Sequence, residues 1–213
     1  MHRLLLTSNA YRMSSDDSAE NVRLDPENQL HWRMPRRRLE GESIRDNVLA
    51  VAGTLDRSIG GPGVYPYIDP ALWQGSSGRK WPGRPDSDPS TWRRSIYVFS
   101  KRSIPLPMLE VFDKPDAISS CSRRNRSITS PQALVLMNNA FVLMQAKYFA
   151  QRVQREAGVD ARRQVDRAFE LALSRPPSGS EQERALAFLA GSADGLVDFC
   201  QTLLNTNEFV YVP

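Results

Sequence analysis

Histidine and cysteine are almost missing from this chain: its 213 residues include only His2, His31, Cys121 and Cys200. No CxxC, CxxCH or HExxH spacing occurs, so the sequence offers no zinc cage and no covalent haem attachment. The two cysteines lie far apart and are expected as buried free thiols, since a bridge would need an exported protein. Long apolar runs are also missing. No stretch approaches the roughly 18 residues of a membrane span, and Leu4, Leu5 and Leu6 make too short a run for a secretory h-region. Lysine is scarce, with Lys80, Lys101, Lys114 and Lys147 the only examples, so arginine carries the net charge of +4. Acidic residues are interleaved with it, as Glu40, Glu42 and Asp46 are with Arg36, Arg37, Arg38 and Arg45. The concentrated basic face with aromatics that marks a nucleic-acid binder is therefore lacking. Gly60, Gly61 and Gly63 form no phosphate loop, because the GxxxxGK[ST] pattern is absent.

What remains is an ordinary globular composition, 40% hydrophobic and 24% charged, in a chain long enough to bury a substantial core. Helical patterns dominate. Residues 2–11 read as an uncapped helix end and residues 25–28 as a turn. Apolar positions Ile44, Val48, Val51, Ala52 and Leu55 recur at helical spacing over residues 36–55. On the other face of that helix Arg38, Glu42, Arg45 and Asp46 are expected to form a solvated ladder of ion pairs. Residues 95–100 suit either a short buried strand or a helical turn. Thr129, Ser130 and Pro131 are a strong helix start, and the broadly apolar helix over 131–154 is expected to be central, with Asn138 either a buried amide needing partners or a junction between two helices. Three further helices follow, one opened by a capping box of Ser180 with Glu183 and the last ending in an apolar tail at 208–212. The fold class read from this pattern is mainly α, a multi-helix array with long irregular loops and at most short strands. It is organised as one helical domain over 1–213, with a Gly/Pro/aromatic loop insertion at 57–93 and a C-terminal array at 129–213.

Five ordered segments carry a family likeness: RRRLEGESIRDNVLAVAGTLD at 36–56, RRSIYVFSKRS at 93–103, SCSRRNRSITSPQALVLMNN at 120–139, ALSRPPSGSE at 172–181 and LLNTNEFVYV at 203–212. The chain resembles the planctomycete domain of unknown function 1553. That resemblance brings no established activity. It implies a C-terminal position in a large exported protein, behind a companion domain and often a cytochrome c domain, and hence a periplasmic or envelope location. Met1 and His2 fall where family members are already inside a helix, so an N-terminally truncated copy is expected. Haem would belong only to an absent upstream domain, and no cofactor or metal is expected in this chain.

The leading functional reading is an accessory or binding module of an envelope protein, with the upstream companion domain as partner and a surface polysaccharide as a second possibility. Its candidate binding residues are Glu42, Arg45, Asp46, Arg93, Arg94, Asp113, Arg124, Asn138 and Glu208. The loop aromatics Tyr65, Tyr67, Trp73 and Trp81 suit either stacking on sugar rings or anchoring of the loop, the commoner use. The alternative is a carbohydrate-active hydrolase. That reaction needs two carboxylates across a cleft, one with a raised pKa, so Glu42 or Asp46 would have to face Asp113 or Glu208. An arginine-rich nucleic-acid binder ranks last.

Overall fold

The computed structural model describes residues 1–72 and 81–212. Two short helices, α1 (His2–Leu6) and α2 (Ala19–Leu24), lie in an amino-terminal arm and bury none of their own residues. As the sequence suggested, α1 has no side-chain cap and its leucines are exposed. The turn after α2 is tied by Asp25, whose carboxylate accepts the N–H groups of Gln29 and Leu30.

The helix expected over 36–55 is shorter at both ends. Residues Arg37–Arg38 form strand β1, and helix α3 spans Gly41–Ala52. A side chain at position 41 would put its Cβ 2.9 Å from the Phe112 Cβ, so glycine lets α3 start hard against the next helix. Gly53 stops α3 in the left-handed region at φ 76°, where glycine carries no Cβ penalty.

Among the described residues, three 3-10 turns punctuate the irregular stretch that follows: Pro70–Leu72, Pro89–Thr91 and Ser95–Tyr97. Residues 95–100 thus make a helical turn, followed by a single bridge from Val98 to Val64. Side chains satisfy the backbone where this stretch begins. Asp46 accepts the Ser95 N–H at 2.7 Å, and Arg45 donates to the Arg93 carbonyl at 2.9 Å. Ile68, Trp81 and Ile104 make a small core of their own beneath the stretch.

Helix α4 (Pro107–Val111) packs on α3. The single helix expected over 131–154 divides into α5 (Ser130–Asn138) and α6 (Ala140–Ala157). Asn139 takes extended angles and its side-chain oxygen accepts the Phe141 N–H at 2.9 Å, so it caps α6. The junction reading was therefore right in kind. Asn138 itself is exposed and is no buried amide. Helix α5 is not central either: it buries only Gln132 and Leu136, while Leu134 and Met137 stand half exposed.

The centre is α6. It packs on α3, on α7 (Ala161–Leu173) and, beyond α8 (Gly179–Ala190), on α9 (Gly195–Leu204). Phe149, Val142, Ala146 and Val153 on its inner face are essentially inaccessible, as are Ile44, Val48 and Leu49 of α3, Val165 of α7 and Leu204 of α9. The box opening α8 is Ser178 with Glu181, not Ser180 with Glu183. Pro176 and Pro177 cannot continue α7, so the next hydroxyl after them becomes the cap. The expected apolar tail forms helix α10 (Asn207–Val210) and strand β2 (Tyr211–Val212). Strand β2 pairs antiparallel with β1, Arg37 opposite Val212 and Arg38 opposite Tyr211. The protein is mainly α. Of the two thiols expected to be buried, Cys200 is and Cys121 is exposed; both are free.

Candidate functional site

The expected ladder on α3 is reduced to one long contact, Arg45 with Asp46 at 3.8 Å, because its members face different neighbours. Arg38 lies on β1, before the helix, and is 6% exposed. Its guanidinium donates to the carbonyls of Ser127 at 3.1 Å and Leu39 at 2.9 Å and to the Asp113 carboxylate at 2.6 Å. It also stacks over the Phe112 ring, 5.4 Å from its centroid. Asp113 accepts the Ser127 N–H at 2.7 Å and the Ser127 hydroxyl as well. Burial opposes ionisation of Asp113, but the Ser127 donors and Arg38 outweigh it and hold the carboxyl below its usual range. Next to this pair Arg124 bridges Glu40 at 2.8 Å and Glu42 at 2.9 and 3.2 Å. The hydrogen bonds that Arg124 donates to Glu42 are the main reason that its guanidinium holds its proton more firmly. The residues 113–129 are thereby laced to the β1–α3 corner by two arginines.

Arg45 turns the other way, into the core, and is 2% exposed. It donates to the carbonyls of Arg93 and Thr91 and to the Ser95 hydroxyl, and it lies over the Phe141 ring. Burial lowers its pKa to about 10, with Asp46 and Asp86 opposing the shift. Arg93 is a post for the glycine loop. It donates to the carbonyls of Pro62, Ser58 and Gly60 and stacks 3.8 Å from the Tyr97 centroid. The Tyr97 hydroxyl in turn accepts the Gly60 N–H at 2.8 Å. Gly60 and Gly61, at φ 83° and 84°, supply the left-handed turns that let the loop coil round a guanidinium. Arg94, one residue on, is exposed and its side chain has no partner among the described residues.

Most of the loop aromatics are used to anchor. Trp81 is buried, donates its indole N–H to the Pro66 carbonyl at 2.8 Å and meets Tyr65 edge-on at 5.3 Å. Tyr65 also packs on Phe99. Only Tyr67 of the described set presents its ring to solvent, at 46% exposure; Trp73 lies outside the described residues. Glu208 shares no hydrogen-bond partner with the other candidate carboxylates among the described residues: Arg175 grips Glu208 at 2.6 and 2.7 Å and Glu181 at 2.9 and 2.8 Å. That Arg175 bond, first, and the Ser178 N–H, second, push the Glu181 carboxyl down to about 2.

Between the irregular stretch and the α4 and α6 starts lies a cavity of about 230 Å³, with Arg45, Tyr67, Asp69, Asp86 and Asn139 among its polar lining and Leu106, Met108 and Phe141 among its apolar walls. Asp86 is the residue that sequence reading missed. Its carbonyl accepts the Trp92 indole N–H at 2.8 Å, but its carboxyl has no hydrogen bond or ion pair among the described residues. Burial raises its pKa, against the pull of Arg45. In the sequence RPDSDPS Asp86 resembles any turn aspartate, and only the fold sets it opposite an arginine forty residues away.

Among the described residues no group of three His, Cys, Asp or Glu side chains could hold a metal ion, and no helix is long and apolar enough to cross a membrane. These features define a helical domain whose irregular loops are pinned by buried and bridging arginines. The chain belongs to the PSD1 family, described as a protein of unknown function (DUF1553), whose description matches residues 1–189. No curated protein matches it, and no solved structure does.

Proposed function

We propose that this chain is an accessory binding module of a larger envelope protein, with no reaction of its own. The observation that carries the reading is the fate of the carboxylates. Glu42, Asp46, Asp113 and Glu208 each accept hydrogen bonds from an arginine or a backbone N–H. A glycoside hydrolase of the usual kind needs an acid kept protonated opposite a free carboxylate, and Asp113 is held ionised by its donors instead. The partner in this reading is the companion domain that precedes it in the parent protein. Support comes from the amino-terminal arm, where Leu4, Leu5 and Leu6 of α1 and Leu24 of α2 are exposed on helices that bury nothing of their own; apolar side chains left in water in this way suit an interaction surface.

Sedimentation of the chain mixed with its separately produced companion domain tests this. A 1:1 complex is expected, weakened by Leu4→Asp with Leu5→Asp. No association at about 100 μM, a concentration that detects even weak contacts, would refute it. So would a glycan-cleaving activity of the chain alone that Asp113→Asn abolishes without lowering the melting temperature.

A further inference from the structure

We infer that the Arg45–Asp86 cavity is a binding site for one neutral sugar ring. This goes beyond the docking role above and rests on different residues.

The cavity holds an unspent donor and an unspent acceptor. A guanidinium has five N–H groups, and three of those on Arg45 are taken by Arg93, Ser95 and Thr91. Two remain on a side chain that lines the cavity. In the same lining stands Asp86, whose carboxyl has no hydrogen bond or ion pair among the described residues. Water can satisfy both groups in the free protein, and a ligand that offers a donor and an acceptor together can replace that water at little cost.

Charge selects the class of ligand. An anion entering the cavity meets Asp86 and Asp69, and a cation meets Arg45. A neutral polyhydroxylated ring avoids both penalties: one hydroxyl donates to Asp86 while its neighbour accepts from Arg45. The C–H faces of such a ring match the walls, which include the half-exposed Tyr67 together with Phe141, Leu106 and Met108. At about 230 Å³ the space falls below the roughly 300–1,000 Å³ of drug-sized pockets, so it takes a single ring.

The indole N–H of Trp92, bonded to the Asp86 carbonyl, is a built-in reporter. Its NMR cross-peak is followed while the full chain is titrated with the methyl glycosides of glucose, galactose, mannose and N-acetylglucosamine, and separately with glucuronate and glucosamine. At least one neutral glycoside is expected to shift it saturably and more tightly than either charged sugar. Asp86→Ala, which removes no protein hydrogen bond, is expected to keep the fold and to weaken binding about tenfold, the loss of one hydrogen bond to a charged group. Tyr67→Ala should weaken it too. A trisaccharide ending in the preferred residue then separates the sources: equal or tighter binding assigns a glycan chain end, and lost binding assigns a free monosaccharide, both with the site intact. The inference is overturned if no neutral glycoside binds, if glucuronate or glucosamine binds more tightly, or if folded Asp86→Ala binds as well as the wild type. None of these outcomes depends on whether the companion domain docks.

Discussion

Replacing Arg38 by alanine isolates what the candidate carboxylate Asp113 is for. The substitution removes hydrogen bonds of 2.6, 2.9 and 3.1 Å and the stacking on Phe112. Taking one partner from a buried ion pair costs about 3–5 kcal/mol, because the other charge stays buried. Here Asp113 keeps both Ser127 donors and its side chain is 20% exposed, so the lower end, about 3 kcal/mol, is expected. Urea denaturation reads it directly. With a slope of about 2 kcal/mol/M the midpoint should fall by about 1.5 M, and the slope itself should not change. Arg38→Met, which retains the apolar stem, should recover the part due to packing alone. In the double variant with Asp113→Ala the losses should fall short of their sum by about 1–3 kcal/mol. A loss under about 1 kcal/mol, or strict additivity, would mean that the pair does not pin the loop.

Acid should weaken the fold through the same kind of contact. The carboxyls of Glu181, Asp113 and Glu156, the last held by Arg152 and Arg167 at 2.8 Å each, sit below their ordinary range, so their contribution is present above the unfolded pKa of about 4 and is lost as pH falls toward about 2. The melting temperature should be flat near neutrality and drop below about pH 4.5, and Arg175→Gln should blunt the drop. Asp86 has the opposite sign: its raised pKa means that stability is lost as pH rises through it, so Asp86→Asn should raise the melting temperature at neutral pH and lose that advantage in acid. Native alkylation should label Cys121 alone and reach Cys200 only on unfolding, since Cys200 is buried and burial raises its pKa. Labelling of both at equal rates in the native protein would contradict the packing of α9.

Much of the helical array was legible because helix signals are local. Pro131 after a hydroxyl, Gly158 and the Pro176-Pro177 pair all mark boundaries within a residue or two of where they fall. The break at Asn139 was half legible: two asparagines announced a junction, but an apolar sequence on all sides could not say that α6 takes the core and α5 the surface. Long-range pairing was illegible. Charges spaced three and four apart at 38, 42, 45 and 46 suggest one another as partners, yet their hydrogen bonds go to Asp113, Arg124, Arg93 and Ser95, about 50 to 80 residues away, and only Arg45 and Asp46 stay in reach of each other, at 3.8 Å. Periodicity reports which face of a helix a residue occupies and nothing about which loop covers that face. The pairing of the last residues with β1 was hidden for the same reason, since two-residue strands carry no alternation to read.

The claim that these carboxylates bind the loop to the fold can be tested most directly at the Ser127 amide, which donates to Asp113 at 2.7 Å. Native-state hydrogen exchange of the wild type and of Asp113→Asn with Glu42→Gln should show Ser127 and its neighbours losing protection by about tenfold or more, the equivalent of one charged hydrogen bond. The amides of α6 should exchange as before. Unchanged protection at Ser127 in a folded double variant would contradict the account, and would return Asp113 and Glu42 to the list of groups free to do chemistry.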